Sequence, residues 1–307
     1  MTMRVPNLMN NNASLLDLQR LKQQYAETVQ ELSTGQANPN LGDNPAAEAQ
    51  VEGYQASINV NAEFVAQANT ANSQLQASST ALTSMGTDIT QLLQLGQEGL
   101  AADTTPTTQA GISSQVSALR QDLIALGNTQ VQGNYIFAGT KTTTVPFVDN
   151  QATTPPSTTY NGNSGITSLT LSPSVNVATN IPGDTLFYGG TGLQGSSSDV
   201  LAQAAAMAQA LTTNNTAAIQ TAYNNLQTIS SRINVSVADL GEREDGVTAL
   251  QDGLSAYSQN LTTQQSSIAS VNYANAITQL NEEGVAQQAT LSTIAKSGQK
   301  TLFDYIA

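Results

Sequence analysis

From Val247 to Val271 the apolar positions advance by alternating steps of three and four: Val247, Leu250, Leu254, Tyr257, Leu261, Gln264, Ile268 and Val271. That repeat draws one stripe along a helix, and a stripe this long has to be covered by another helix. A coiled coil or an ordinary antiparallel bundle would both satisfy it. Gln264 is its one polar insertion. Upstream, Ile219, Tyr223, Leu226, Ile229, Ile233, Val237 and Leu240 keep the same stepping.

The first half of the chain has the same pattern. Leu15, Leu18, Leu21, Tyr25, Val29 and Leu32 lie on one helix face, and Gly35 follows as a left-handed cap. A second helix can start at Pro45, whose missing N–H would have no partner in a first turn, with Asn44 or Asp43 accepting bonds from the free amides. The Asp43 carboxylate also suits the positive end of a helix dipole. From Val51, Tyr54 and Ile58 the stripe runs on to Leu75, Leu82, Met85, Ile89 and Leu92. A helix of about 50 residues is about 75 Å long, which suits a rod rather than a globule. After a break at Ala102–Thr108, Ile112, Val116, Leu119, Leu123 and Leu126 restore the pattern.

Between these halves, from about Asn134 to Ser198, Gly, Pro, Thr and Ser accumulate around short alternating segments: YIFAG, TVPFV, SLTLS, VNVAT and DTLFYGG. Asn161-Gly162, after Tyr160, is a tight-turn dipeptide of the kind favoured between paired strands. The expected fold is mainly α with a small β insert: a long antiparallel helical bundle or coiled coil formed by the N- and C-terminal regions. The divisions are residues 1–40 with 268–307 as a terminal coiled-coil region, 41–133 with 199–267 as a helical body, and 134–198 as the β-rich insert.

Charged residues make up 10% of the 307, so Asn, Gln, Ser and Thr must provide most of the wetted surface. The net charge of −13 reflects 9 basic against 22 acidic residues, with no Lys or Arg between Lys141 and Arg232. Such scarcity argues against a nucleic-acid track and an anionic membrane surface. No apolar run reaches the roughly 18 residues of a membrane span, and the N-terminus lacks the apolar core of a cleavable signal. The chain has neither His nor Cys. That removes the commonest general base, the usual zinc ligands and the Ser-His and Cys-His nucleophile pairs. No catalytic, cofactor-binding or metal-binding residue is assigned.

Two stretches imitate sites. Gly190–Gly195, GTGLQG, fits the dinucleotide pattern, but no acidic residue lies about 20 positions on and no second strand completes a βαβ unit, so it is read as a linker. Asp239–Asp245, DLGERED, crowds four carboxylates beside Arg243 and is read as a solvated helix face. Glu282 and Glu283 are adjacent and point in different directions on a helix.

The N-terminal stretch MRVPNLMNNNASLLDLQRLKQQYAETVQELSTGQ resembles that of bacterial flagellar axial proteins, the flagellin family and its hook-associated relatives. Ser33, Gly35, Asp43 and Pro45 match that family's Ser-x-Gly turn and Asp-Asp-Pro helix start, while Asn44 replaces its second Asp. GNYIFAGTKTTTVPF, YNGNSG, NIPGDTLFYGG and the terminal LFDYIA resemble the hook-associated protein 3 family.

The resemblance implies a non-enzymatic subunit that joins hook to filament, sits outside the cell in the flagellum and is exported without a cleaved signal peptide. Implied partners are the first hook–filament junction protein, flagellin, further copies in a helical ring, an export chaperone and the type III export apparatus. The implied assembly interface is Leu15, Leu18, Leu21, Tyr25 and Leu32 with Val271, Ile277, Leu280, Leu291, Ile294, Leu302 and Phe303. Gly35, Asp43, Asn44 and Pro45 form the helix joint. Flagellin itself and a non-flagellar coiled-coil adhesin or spacer are the competing readings.

Overall fold

The computed structural model describes residues 4–37, 44–101 and 104–299. Six α-helices dominate: α1 (Arg4–Thr34), α2 (Pro45–Gly99), α3 (Pro106–Gly127), α4 (Val200–Thr212), α5 (Thr216–Ala269) and α6 (Tyr273–Gln299). The chain divides into two compact units, Met1–Val60 with Tyr257–Ala307, and Asn61–Ala256.

The second unit holds the hydrophobic core. The long stripes of α2 and α5 meet there: Leu75, Leu82, Met85, Ile89 and Leu92 pack in one cluster with Ile219, Leu226, Ile229, Ile233 and Leu240. The pairing is antiparallel, since Gln97 donates to the Tyr223 hydroxyl at one end and Asn61 donates to the Leu254 carbonyl at the other. Ile112, Val116 and Leu123 of α3 and Leu201, Met207 and Leu211 of α4 complete the cluster. α3 starts where Thr105 accepts from the Thr108 amide and Pro106 occupies the first turn. α4 starts at Asp199, which accepts from Leu201 and Ala202.

The insert is built from three antiparallel pairs: β1 (Gln130–Val131) with β2 (Asn134–Tyr135), β3 (Phe147–Asn150) with β4 (Ser157–Tyr160), and β5 (Ser168–Ser172) with β6 (Val175–Ala178). None has a face large enough to stand alone. β3 lies against α3 and β4 against α4, and Leu171 of β5 joins the core cluster. Phe147, Phe187, Tyr160 and Tyr188 cluster, with Phe147 and Phe187 ring centroids 4.2 Å apart. Gly127, at the end of α3, admits these rings: a Cβ there would lie 2.7 Å from Phe147 and 2.8 Å from Phe187.

Two local expectations are corrected. Asn161-Gly162 does not join paired strands, because β4 folds back on β3 through residues 151–156. The Tyr160 hydroxyl, donating within reach of the Phe137 and Asn163 carbonyls, directs the chain along a different loop. The DTLFY segment is a π-helical turn, Asp184–Tyr188, rather than extended chain. Its Leu186 and Phe187 carbonyls accept from Arg232.

The sparse cations work here. Arg232 also donates to Ser198, Arg243 donates to the carbonyls of Ala178 and Asn180, and Arg120 reaches Leu201, Asp149 and Thr158. In DLGERED, Arg243 additionally pairs with Asp239 at 2.7 Å. GTGLQG is loop, closed by the Gly195 amide donating to Asp199.

Candidate assembly surface

The first unit has a different energetic character. Its buried apolar side chains among the described residues are Leu18, Leu261, Val271 and Ala276, while Leu15, Leu16, Tyr25, Val29, Val60, Tyr257, Tyr273, Ile277, Val285 and Leu291 are exposed. An amphipathic helix gains most of its stability from burying its stripe, and here the stripes are largely uncovered.

α1 and α6 pack antiparallel. Near one end, the Gly35 carbonyl accepts from the Val271 amide, and further along the Gln287 side chain donates to the Leu21 carbonyl. Leu18 is buried at 8% exposure, Leu21 and Leu32 are half-buried, and Leu15 and Tyr25 are exposed. On α6, Leu280 and Ile294 are half-buried and Ile277 and Leu291 are exposed; Val271, just ahead of the helix, is buried. Asp43, Leu302 and Phe303 lie outside the described residues.

The surface α6 turns toward α1 is more polar than its apolar row. Ala276, Glu283 and Gln287 advance by seven and four, on the same side as Leu280. The Thr28 hydroxyl sits 3.1 Å from the Gln24 carbonyl and 3.3 Å from Glu283 Oε1, so its one proton is shared between them. Gln279 also donates to Glu283 Oε1, while buried Oε2 has no hydrogen-bond partner. Tyr273, Ile277 and Leu291 occupy the flank of that contact and face outward. Sequence reasoning missed Thr28 and Glu283. The available signal was position: Thr28 falls in the stripe between Tyr25 and Leu32, where a polar residue must find a partner across the contact.

The joint is built from both ends of the chain. Gly35 has φ +72°, a left-handed conformation that strains residues with a Cβ, and its amide closes α1 on Glu31. Asn44 accepts from the Ala47 amide at 3.1 Å, ahead of Pro45 in the first turn of α2. Residues 35–37 then pair with 269–271: Ala37 donates to Ala269 at 2.8 Å, Val271 donates to Gly35 at 3.0 Å, and Gln36 stands opposite Ser270. That pairing falls at the interval between α5 and α6, a break within the stripe that ends at Val271. Asn272 restarts the helix, its side chain accepting from Asn275 and its carbonyl from Ala276.

Among the described residues no group of three or more His, Cys, Asp or Glu comes together as a metal site, and no helix is long and apolar enough to cross a membrane.

No protein-family model and no curated protein matches the chain. Solved structures do. A protein of Vibrio parahaemolyticus described as a flagellar hook-associated protein matches with a TM-score of 0.67 at 17% identity, over 74% of this chain and 100% of that one. FlgL of Xanthomonas campestris matches with a TM-score of 0.60 at 18% identity, over 69% and 99%. Hook associated protein-3 of Legionella pneumophila matches with a TM-score of 0.61 at 15% identity, over 71% and 98%. The chain shares the fold of these proteins, mainly helical with small antiparallel strand pairs.

Proposed function

We propose that this chain is a structural subunit of the bacterial flagellum that joins hook to filament, with no catalytic role. The observation that carries the reading is the exposed apolar set on α1 and α6, Leu15, Tyr25, Val29, Ile277 and Leu291, in a chain whose other unit buries its stripes. Copies of the chain would cover these residues in one another. Head-to-tail contacts that do not close generate helical tubes, the geometry a flagellar junction requires. The shared fold with hook-associated proteins supports the same assignment.

In this reading residues 1–40 and 268–307 form the terminal assembly region, 41–133 and 199–267 the helical body, and 134–198 the outer insert. Its neighbours are the first junction protein, flagellin and further copies of itself. It reaches the cell exterior through the flagellar export apparatus with a chaperone. The nearly uncharged polar surface favours contacts that depend little on ionic strength.

A deletion strain tests this. Cells lacking the protein should build hooks but shed flagellin into the medium, and the wild-type chain should restore filaments. Filaments of normal length on the deletion strain would refute the junction role. A chain present at filament-like abundance would instead identify the bulk subunit.

A further inference from the structure

Charge is distributed unevenly along the first unit. Its Lys and Arg residues all fall within 1–22 and 296–307, while 23–60 and 257–295 hold seven carboxylates and neither Lys nor Arg. α1 and α6 run antiparallel, so cations early in one helix and late in the other come to the same end. Arg20 and Lys22 flank Leu21, where Gln287 crosses, and Lys296 lies beyond that crossing, away from the joint. Glu27, Glu31 and Glu282 lie between the crossing and the Gly35–Val271 bond, and Glu52 follows the joint on α2. The three cations are exposed, as are Glu27, Glu52 and Glu282.

Helix stability does not account for the pattern. Lys296 suits the last turn of α6, but α1 has no acidic residue in its first turn and carries Glu31 in its last, where a carboxylate opposes the helix dipole. Glu27 and Glu31 are also four residues apart, a spacing at which like charges repel. Arg20 meets Asp17 at 3.4 Å with both side chains largely in water, a contact of little strength.

The spacing supplies a direction and an offset. Glu27 and Glu31 repeat the helix face of Arg20 seven and eleven residues on, and Glu282 repeats that of Lys296 fourteen residues back. A second copy laid parallel to the first and moved about 16 Å toward its joint brings Arg20 level with Glu31, and a shift of about 21 Å brings Lys296 level with Glu282. Both helices require the shift in the same direction.

We propose that this charge segregation sets how neighbouring copies meet: their α1–α6 pairs lie side by side and parallel, offset by about 15–20 Å, with the cationic end of one against the carboxylates near the joint of the next. This rests on the assembly reading above and gives it a polarity. The exposed apolar rows of α1 and α6 supply the contact, and the charges choose its orientation and speed the encounter. The partner is a second copy because each copy carries both halves of the complementarity. An antiparallel pair would engage both halves at once and close at two copies; the parallel offset leaves one half free on either side and continues.

Carbodiimide coupling of the purified full chain tests this, since it joins a Lys amine to a carboxylate in direct contact and the lysines are only Lys22, Lys141, Lys296 and Lys300. In a mixture of isotope-labelled and unlabelled copies, Lys22 and Lys296 of one copy should couple to Glu27, Glu31 or Glu282 of another about tenfold more often than Lys141 does. The initial rate should fall about tenfold between 0.1 and 1 M NaCl, as the Debye length drops from about 10 to about 3 Å. Products should extend to three or more copies. Products that stop at two would overturn the offset packing, and links no more frequent from Lys22 and Lys296 than from Lys141 would overturn the contact itself.

Charge reversal in the deletion strain gives a second readout. Arg20→Glu with Lys22→Glu should release flagellin into the medium, and adding Glu27→Lys and Glu31→Lys to the same chain should restore attachment. Attachment unaffected by the first pair, or unrestored by the second, would overturn the contact. Filaments retained in the absence of the chain would instead defeat the junction reading, and coupling between purified copies would still decide the packing.

Discussion

Asn128 holds both backbone groups of Phe147: its side-chain amide donates to the Phe147 carbonyl at 2.8 Å and its Oδ1 accepts from the Phe147 amide at 2.9 Å. A side chain at the C-cap of α3 thus acts as a neighbouring strand for the first residue of β3. Through this pair the insert is fixed to a helix end rather than to another sheet, which allows a two-stranded pair to persist.

Removing that amide should therefore loosen the insert more than the helices. Asn128→Ala leaves two partly buried backbone groups without partners, a loss of about 1–3 kcal/mol. Hydrogen exchange should show β3 and β4 opening while the α2–α5 core keeps its protection. Equal loss of protection in α2 and β3 would refute the independence of the insert.

Arg120 should be the most costly cation to remove. Its guanidinium is buried, pairs with Asp149 at 2.6 Å and also reaches Thr158 and the Leu201 carbonyl. Breaking one side of a buried ion pair costs about 3–5 kcal/mol, so Arg120→Met should destabilise the second unit by about 3 kcal/mol at neutral pH. Burial pushes the Asp149 carboxyl up, but hydrogen bonds from Arg120 and Gln121 and the charge of Arg120 outweigh it and hold it below its ordinary value of 3.8. A lowered carboxyl stabilises above the unfolded value and loses that contribution as pH falls through the folded one. The gap between variant and wild type should therefore narrow below pH 3.8 in urea unfolding. A gap that stays constant from pH 7 to pH 3 would show that packing, not charge, is what Arg120 supplies.

How much of this was visible in the sequence follows how local each feature is. The stripes of α2 and α5 were legible because both partners repeat every three or four residues. The caps at Gly35, Asn44 and Pro45 were legible because each residue's own geometry dictates them. The pairing of 269–271 with 35–37 was hidden because the two segments lie near opposite ends of the chain. The role of Glu283 was hidden because it depends on Thr28 across the helix pair. The π-helical turn at Asp184–Tyr188 looks extended in sequence because alternation in DTLFY mimics a strand, and the Arg232 guanidinium that donates to its Leu186 and Phe187 carbonyls lies more than forty residues away.

Asp199 should give the opposite pH response to Asp149. It caps α4 by accepting from Leu201 and Ala202, and its second oxygen accepts from Gly195. Burial nevertheless raises its carboxyl above 3.8, against those three amides and the charge of Arg120. A raised carboxyl binds its proton more tightly in the folded chain, so its contribution falls as pH rises from 3.8 through the folded value. Asp199→Asn, which cannot titrate, should remove that decline. Thermal unfolding of wild type and variant should diverge across that interval, and parallel curves would contradict the shift. Asp199→Ala should lose the cap at every pH, by about 1 kcal/mol.

Two aspartate substitutions separate folding from assembly within the same pair of helices. Leu18 is 8% exposed, so Leu18→Asp would bury a charge between α1 and α6 and undo their pairing. Circular dichroism should show helix loss, while hydrogen exchange in the second unit stays unchanged, because among the described residues the main cluster contains none from α1. Leu291 is 49% exposed, and Leu291→Asp should alter monomer stability by less than about 0.5 kcal/mol. If neighbouring copies cover Leu291, the same change should abolish incorporation, because an aspartate in an apolar contact keeps no water and gains no partner. A Leu291→Asp chain that folds normally and still supports filament attachment at wild-type level would place the contact surface elsewhere on the molecule.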